Sequence, residues 1–189
     1  MKKTLLALAP LLATGSLLAT SALVATPALA ALPVGATAPD FSTEATMAGK
    51  AYPYNLDAEL KKGPVVLYFF PAAFTPGCTV EAHEFAEATD QYKALGATVI
   101  GVTNGNVDRL KEFSVSECRS KFPVAADPDL KISKSYDSTL AVKPGWSNRT
   151  SYVITPDHKV LIAYSALPPD KHVSTTMDAL KAWRAAHPQ

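Results

Sequence analysis

Six consecutive apolar residues, Val65-Val66-Leu67-Tyr68-Phe69-Phe70, interrupt a chain whose apolar and polar positions otherwise change over short periods. An unbroken run of that length predicts a central strand covered on both faces. Lys61-Lys62-Gly63-Pro64 punctuates the chain just before it. The period then becomes helical. Ala82, Phe85, Thr89, Tyr92 and Leu95 fall on one stripe of a helix over 79–95, and Gly96 supplies its stop. Residues 97–103 predict the next strand. Asn104-Gly105-Asn106 reads as a turn with a helix cap, followed by a helix over 107–118 carrying Val107, Leu110 and Phe113. A short strand over 122–126 ends at Asp127-Pro128, and a helix follows at about 129–136. Residues 151–154 and 160–164 flank Thr155-Pro156-Asp157-His158-Lys159, whose turn composition joins them as a hairpin. Asp170 is expected to cap a last amphipathic helix bearing Val173, Met177, Leu180 and Trp183. Residues 31–39, rich in Pro, Ala and Gly, read as an extended entry segment.

Strands that alternate with helices, then a hairpin, then a helix predict an α/β fold: a central mixed sheet flanked by helices on both faces. No internal repeat or long linker divides this stretch, so residues 31–189 are read as a single domain.

The first thirty residues change that picture at one end. Lys2 and Lys3 make a positive start, a long Leu/Ala-rich run follows, and Ala28-Leu29-Ala30 is a small-residue cleavage site. Residues 1–30 are therefore read as a secretory signal peptide, and the lysines with the Ala-x-Ala site point to a bacterial periplasm. The apolar run is long enough to raise an uncleaved anchor as the alternative, but Pro10, Gly15 and Ser16 weaken it as a membrane span. Cleavage would remove two lysines and no acids, taking the formal charge from +1 to −1. That balance offers no basic surplus for nucleic acid and no strong field for steering. Two cysteines are compatible with one disulfide in an exported protein and are too few for a disulfide scaffold or a zinc pattern.

The chemistry is concentrated after the apolar strand, in Pro71-Ala72-Ala73-Phe74-Thr75-Pro76-Gly77-Cys78. The string sets a cysteine at the mouth of a helix, where unpaired N–H donors and a partial positive charge favour a thiolate. The spacing Pro71-x-x-x-Thr75-x-x-Cys78 resembles the active-site signature of peroxiredoxins. With Tyr68-Phe69-Phe70 before it and Thr79 and Glu81 after it, the segment is most similar to the Q-type, or bacterioferritin comigratory protein, subfamily. The resemblance runs from about Gly35 to Asp157. It includes Gly35-Ala36-Thr37-Ala38-Pro39-Asp40-Phe41, which resembles the opening of thioredoxin-fold peroxidases, and implies a thioredoxin-like fold.

A free cysteine, with a pKa of about 8.5, is only about 3 % thiolate at pH 7, so full ionisation raises the reactive fraction roughly thirtyfold at most. A fast peroxidase needs donors that hold the peroxide as well. Thr75 is placed to donate to one peroxide oxygen while accepting from the other, and the N–H groups of Gly77 and Cys78 can add to this. The local sequence lacks a cation. Arg149-Thr150-Ser151-Tyr152-Val153-Ile154 resembles the Arg-x-x-Phe-x-Ile segment of peroxiredoxins, in which the arginine contacts the reactive sulfur. Otherwise Arg149 reads as a surface arginine at a strand end. Pro71 either shields the sulfur or merely ends the strand. Glu81 either anchors an arginine or complements the helix dipole.

Cys118 is the second thiol. Many Q-type relatives carry a resolving cysteine five residues after the first, but this chain has His83 there. Others place it in the following helix, where Cys118 lies. With parallel strands at 65–70 and 97–103, the end of that helix is expected toward the opposite end of the sheet, and bridging to Cys78 would require unwinding. The alternatives are resolution by an outside thiol and a packed structural thiol. His83, His158, His172 and His187 have no ligand spacing and are read as surface or capping residues. Asn148-Arg149-Thr150 fits a glycosylation sequon, and Trp146 and Trp183 read as packing residues.

The resemblance thus implies a thiol peroxidase that reduces hydrogen peroxide and small organic hydroperoxides through a sulfenic acid on Cys78. An external thiol reductant, such as a thioredoxin-like protein, would restore it. No metal, haem or flavin is implied, nor nucleic acid, nor a membrane after cleavage, and a monomer or weak dimer is expected. The rival classes are a thiol–disulfide exchange protein, disfavoured because residue 75 of Thr-Pro-Gly-Cys is not a second cysteine, and a non-enzymatic binding or holdase domain.

Overall fold

A computed structural model of the chain describes residues 31–188; the signal-peptide expectation for residues 1–30 lies outside them. The elements are β1 (Ser42–Met47), β2 (Lys50–Asn55), α1 (Leu56–Leu60), β3 (Val65–Phe69), α2 (Pro76–Ala94), β4 (Thr98–Thr103), α3 (Leu110–Ser116), β5 (Val124–Ala126), α4 (Lys131–Ser135), β6 (Thr150–Ile154), β7 (Val160–Ser165) and α5 (His172–Ala186). They build one seven-stranded sheet in the order β2-β1-β5-β4-β3-β6-β7. The sheet is mixed: β3 pairs parallel with β4 and antiparallel with β6.

The apolar run is β3, and all five of its residues are buried. Its period-2 geometry sends alternate side chains into two separate cores. Val66 and Tyr68 join the buried residues of α2, α3 and α5 on one face, with Phe85, Phe113, Met177 and Leu180. Val65, Leu67 and Phe69 join Leu56 and Leu60 of α1 and Ile132 of α4 on the other. Both faces are therefore covered, as an uninterrupted apolar strand requires.

Several local expectations are corrected. The segment after residue 39 holds a β-hairpin and a short helix that no strong apolar period announces. Its turn, Ala48-Gly49, takes φ +50° and +76° at both central positions, the geometry of a tight hairpin turn. β2 is a sheet edge, which tolerates Pro53. The helix expected over 107–118 is a 3-10 turn, Val107–Arg109, followed by α3. Asn106 precedes it without a side-chain cap bond. Its amide instead donates to the Ala73 carbonyl at 2.7 Å, pinning the loop after β3. α5 begins at His172 with Lys171, not Asp170, in the cap position.

Candidate active site

Cys78 is the third residue of α2, after Thr75 as N-cap and Pro76 at the first helical position. Proline suits that place because its missing N–H has no intrahelical partner there. The chain reaches it through a tightly held loop. Ala73 N–H donates to the Gly105 carbonyl at 3.2 Å, and Ala72 bridges Gly105 as a short parallel pair. A Cβ on Gly105 would stand 2.5 Å from the Pro71 carbonyl oxygen, so only glycine allows the two segments to approach. Phe74 takes a left-handed φ of +62°, between Phe113, whose ring meets it edge-on at 5.2 Å, and the Arg109 guanidinium 3.8 Å over its face.

The Cys78 side chain is 1 % exposed. The cation missing from its own segment arrives across the sheet from Arg149, just before β6. Arg149 Nη2 donates to Cys78 Sγ at 3.5 Å. Nη1 donates to a Glu81 carboxylate oxygen and to the Gly77 carbonyl at 3.3 Å, and Nε donates to the Leu167 carbonyl at 2.7 Å. Two segments, α2 and the stretch after β7, thus fix one guanidinium, which is itself buried. Glu81, one turn beyond Cys78, is fully buried and anchors Arg149; it does not sit in solvent complementing the helix dipole. Asn148 fixes the backbone at this point, accepting from the Arg149 N–H at 2.9 Å and donating to Ser165 Oγ at 3.0 Å. The sequon asparagine therefore has a structural task.

Thr75 is oriented differently from expectation. Its hydroxyl donates to the Ala72 carbonyl at 3.0 Å, so toward a ligand it presents lone pairs as an acceptor. Pro71 is half-buried beside the loop.

His172, expected at the surface or in a cap, is fully buried. It lies behind Glu81, with Nδ1 3.5 Å from Oε1. Nδ1 is 2.8 Å from Ser151 Oγ, and Nε2 is 2.9 Å from the Ala166 carbonyl. Burial pushes the His172 imidazole down to about 4. Burial also pushes Glu81 up to about 8, against the opposing pull of Arg149. His172, Ser151, Asn106 and Gly105 escaped sequence reasoning, since no spacing along the chain links them to Cys78.

Cys118 is fully buried and unpaired, and burial, with the nearby Glu117 carboxylate, pushes its thiol up. The end of α3 runs away from Cys78, toward the opposite end of the sheet, as expected. Glu117 pairs with His83 at 2.8 Å, Arg119 with Glu87 at 3.1 Å and Lys121 with Asp90 at 3.1 Å. Residues 117–121 therefore run alongside α2, level with its second turn onward. His83 itself is about 7.5 Å of helical rise from Cys78. Trp146 carries the Lys143 ammonium 3.3 Å over its ring, and Trp183 stacks on His187.

With this geometry in view, comparison with known proteins gives one family. The model of the AhpC/TSA family matches residues 34–163. The chain belongs to that family. Among curated relatives, a putative peroxiredoxin of Mycobacterium tuberculosis is 31 % identical over 140 residues, covering 70 % of this chain and 88 % of its own. The chloroplastic peroxiredoxin Q of Triticum aestivum is 32 % identical over 127 residues, and the match spans 66 % of this chain but only 57 % of the wheat protein. The chain thus spans a little over half the length of the plant relatives it matches. Among solved structures, the peroxidoxin BcpB of Mycobacterium tuberculosis superposes with a TM-score of 0.70 at 30 % identity, covering 79 % of this chain and 96 % of its own. A cysteine-to-serine mutant of Xylella fastidiosa PrxQ has the same fold, with a TM-score of 0.68 at 24 % identity over 80 % of this chain and 97 % of its own. The fold is thioredoxin-like, and the chain is a member of the peroxiredoxins with Q-type relatives.

Proposed function

We propose that the chain is a thiol peroxidase that reduces hydrogen peroxide and small organic hydroperoxides. The observation that carries this reading is the single guanidinium of Arg149, shared between the Cys78 sulfur and a buried carboxylate at a helix N-terminus. Such a group stays charged and presents donors in a fixed plane. The Cys78 thiolate attacks one peroxide oxygen. The S–O bond forms as the O–O bond breaks, the leaving hydroxide or alkoxide takes a proton, and Cys78 is left as a sulfenic acid. Arg149 faces the charge developing on the breaking bond, Thr75 accepts from the peroxide O–H, and Pro71 keeps water from the sulfur.

An external thiol, such as a thioredoxin-like protein, returns the sulfenic acid to a thiol, and the enzyme works as a monomer or weak dimer. Cys118 is the second route of resolution. Its place alongside α2 means that unwinding the first turns of α2 would carry Cys78 toward it. Its burial makes that route slower than oxidation. A thiol–disulfide exchange activity fits less well, because Thr75 leaves Cys78 without a neighbouring thiol. A holdase role predicts peroxide consumption that is indifferent to Cys78.

Stopped-flow measurement of peroxide consumption tests the reading. Cys78→Ser is expected to abolish turnover with the fold intact, and a parent protein oxidised faster by a disulfide than by peroxide would refute it. Export to the periplasm, with cleavage after Ala30, belongs to the same proposal and rests on the pattern of Lys2, Lys3 and Ala28-Leu29-Ala30. N-terminal sequencing of the exported protein is expected to start at Ala31; a start at Met1 in the membrane fraction would favour the anchor.

A further inference from the structure

Behind Arg149 lies a buried acid–base pair that the peroxide reaction does not itself use. Glu81 gives Oε2 to Arg149, while its other oxygen, Oε1, is buried without a hydrogen-bond partner. His172 Nδ1 faces it at 3.5 Å. The proton inventory of that imidazole follows from its neighbours. Nε2 lies 2.9 Å from the Ala166 carbonyl, which only accepts, so Nε2 carries a hydrogen. A neutral imidazole then presents its one lone pair at Nδ1, and Ser151 Oγ, 2.8 Å away, can turn its hydroxyl to donate there or to accept from a protonated Nδ1. Without a proton on Oε1 or Nδ1, the carboxylate oxygen faces the nitrogen with no hydrogen between them in a dry interior, which is strongly unfavourable.

We propose that Glu81 and His172 hold one proton between Oε1 and Nδ1, and that this proton leaves the charge of Arg149 to the Cys78 sulfur. His172 is accordingly a positioning residue, acting through Glu81. The charge count agrees. With the pair protonated, the buried cluster holds one cation, Arg149, and one anion, the Cys78 thiolate. With the pair bare it holds two anions, and the Glu81 carboxylate competes with the sulfur for the same guanidinium. Burial drives both groups toward their neutral forms, which together contain that one extra proton. The other groups facing the pair are few. Arg149 disfavours a charged imidazole, Asp170 before α5 favours it, and Glu84 on α2 raises Glu81. Tyr164 of β7 meets the imidazole edge-on at 4.8 Å.

The inference rests on Cys78 as the reacting thiol, and its test needs no peroxide. Glu81 is the one buried glutamate among the described residues. At pH 7 the parent protein is expected to show either the infrared carbonyl band of a protonated acid, shifted by carbon-13 glutamate labelling and absent from Glu81→Gln, or a nitrogen-15 NMR signature of imidazolium at His172. A neutral imidazole together with no acid band overturns the proposal. In His172→Leu the acid form of Glu81 loses its acceptor, so Glu81 ionises and draws Arg149 away. Alkylation of Cys78 by iodoacetamide at pH 7 should then slow several-fold, about tenfold for each pH unit by which the balance moves. His172→Asn, which keeps an acceptor where Nδ1 stood, should restore it. Equal alkylation in parent and leucine variant also overturns the proposal. Should the leucine variant fail to fold, the spectra of the parent decide alone. A protein that fails as a peroxidase yet gives these results would sink the proposed function and leave the proton pair standing.

Discussion

Replacing Glu81 by Gln should change the shape of the protein's stability against pH, not only its height. The amide keeps the size of the side chain and an acceptor for Arg149, but it cannot titrate. In the folded parent, Glu81 is raised from 4.5 to about 8 and His172 is lowered from 6.5 to about 4. The Glu81 contribution is therefore fully present below 4.5 and lost as pH rises through 8. The His172 contribution is present above 6.5 and lost as pH falls through 4. Between 4.5 and 6.5 the folded and unfolded forms of the pair each bind one proton, so the two slopes cancel. Between 6.5 and 8 only the folded form keeps its proton, and stability falls by about 2 kcal/mol at about 1.36 kcal/mol per unit. In Glu81→Gln only His172 titrates. Stability should then rise by about 3 kcal/mol from pH 4 to 6.5 and stay flat to pH 8. Urea unfolding in steps of half a pH unit reads both profiles, and the difference curve cancels exposed groups such as Asp57 and Asp157, which are common to the two proteins. A parent whose stability climbs between pH 6.5 and 8, or a variant with no rise in acid, would refute the reasoning.

Arg149→Lys keeps a positive charge but loses the planar fork that reaches Leu167, Gly77, Glu81 and Cys78 together; the peroxide rate should fall by about a hundredfold or more, and a lysine variant matching the parent across pH would remove the forked role. Gly105→Ala drives a methyl into the Pro71 carbonyl and the Ala72 side chain, so thermal unfolding should show a loss of about 1–3 kcal/mol, with slower oxidation of Cys78 by peroxide. Cys118→Ser should increase sulfinic acid at Cys78 under repeated peroxide and abolish any internal disulfide seen by mass spectrometry; unchanged overoxidation and turnover with an external thiol would make Cys118 a packing residue.

The reach of the sequence can be judged residue by residue. β3 and α2 were legible because each is long and strongly patterned: six apolar residues in one, an apolar stripe with a glycine stop in the other. The site residues Cys78 and Arg149 were legible through family resemblance, and the structure brings them together across the sheet. The β1–β2 hairpin was not, since its strands are short and polar, with a proline in the edge strand. Thr75 reads as a donor because its residue type and spacing are visible, whereas the Ala72 carbonyl that takes its proton is set by the loop's fold. His172 is misplaced for a related reason. A lone histidine at a helix start looks like a cap until the packing of α5 against β6 seals it beneath Glu81. The end of α3 lies toward the far end of the sheet, as the parallel strands imply, but the ion pairs that lay it along α2 join residues more than thirty positions apart and were not legible, as Arg119–Glu87 shows.

Phe74 gives the site an intrinsic bias toward opening. A bulky residue in the left-handed region costs about 1–3 kcal/mol, and the folded loop sustains it only while Phe113 and Arg109 grip the ring. When the first turn of α2 unwinds, the backbone at Phe74 is free to return to an ordinary φ, and that relaxation offsets part of the helix and packing energy given up. The closed form is thus a loaded conformation. On the proposed reaction it keeps Cys78 at the guanidinium for attack on peroxide, and once the sulfur is oxidised and no longer draws on Arg149 as an anion, the strain at Phe74 would help drive the loop toward a state in which a second thiol can reach it.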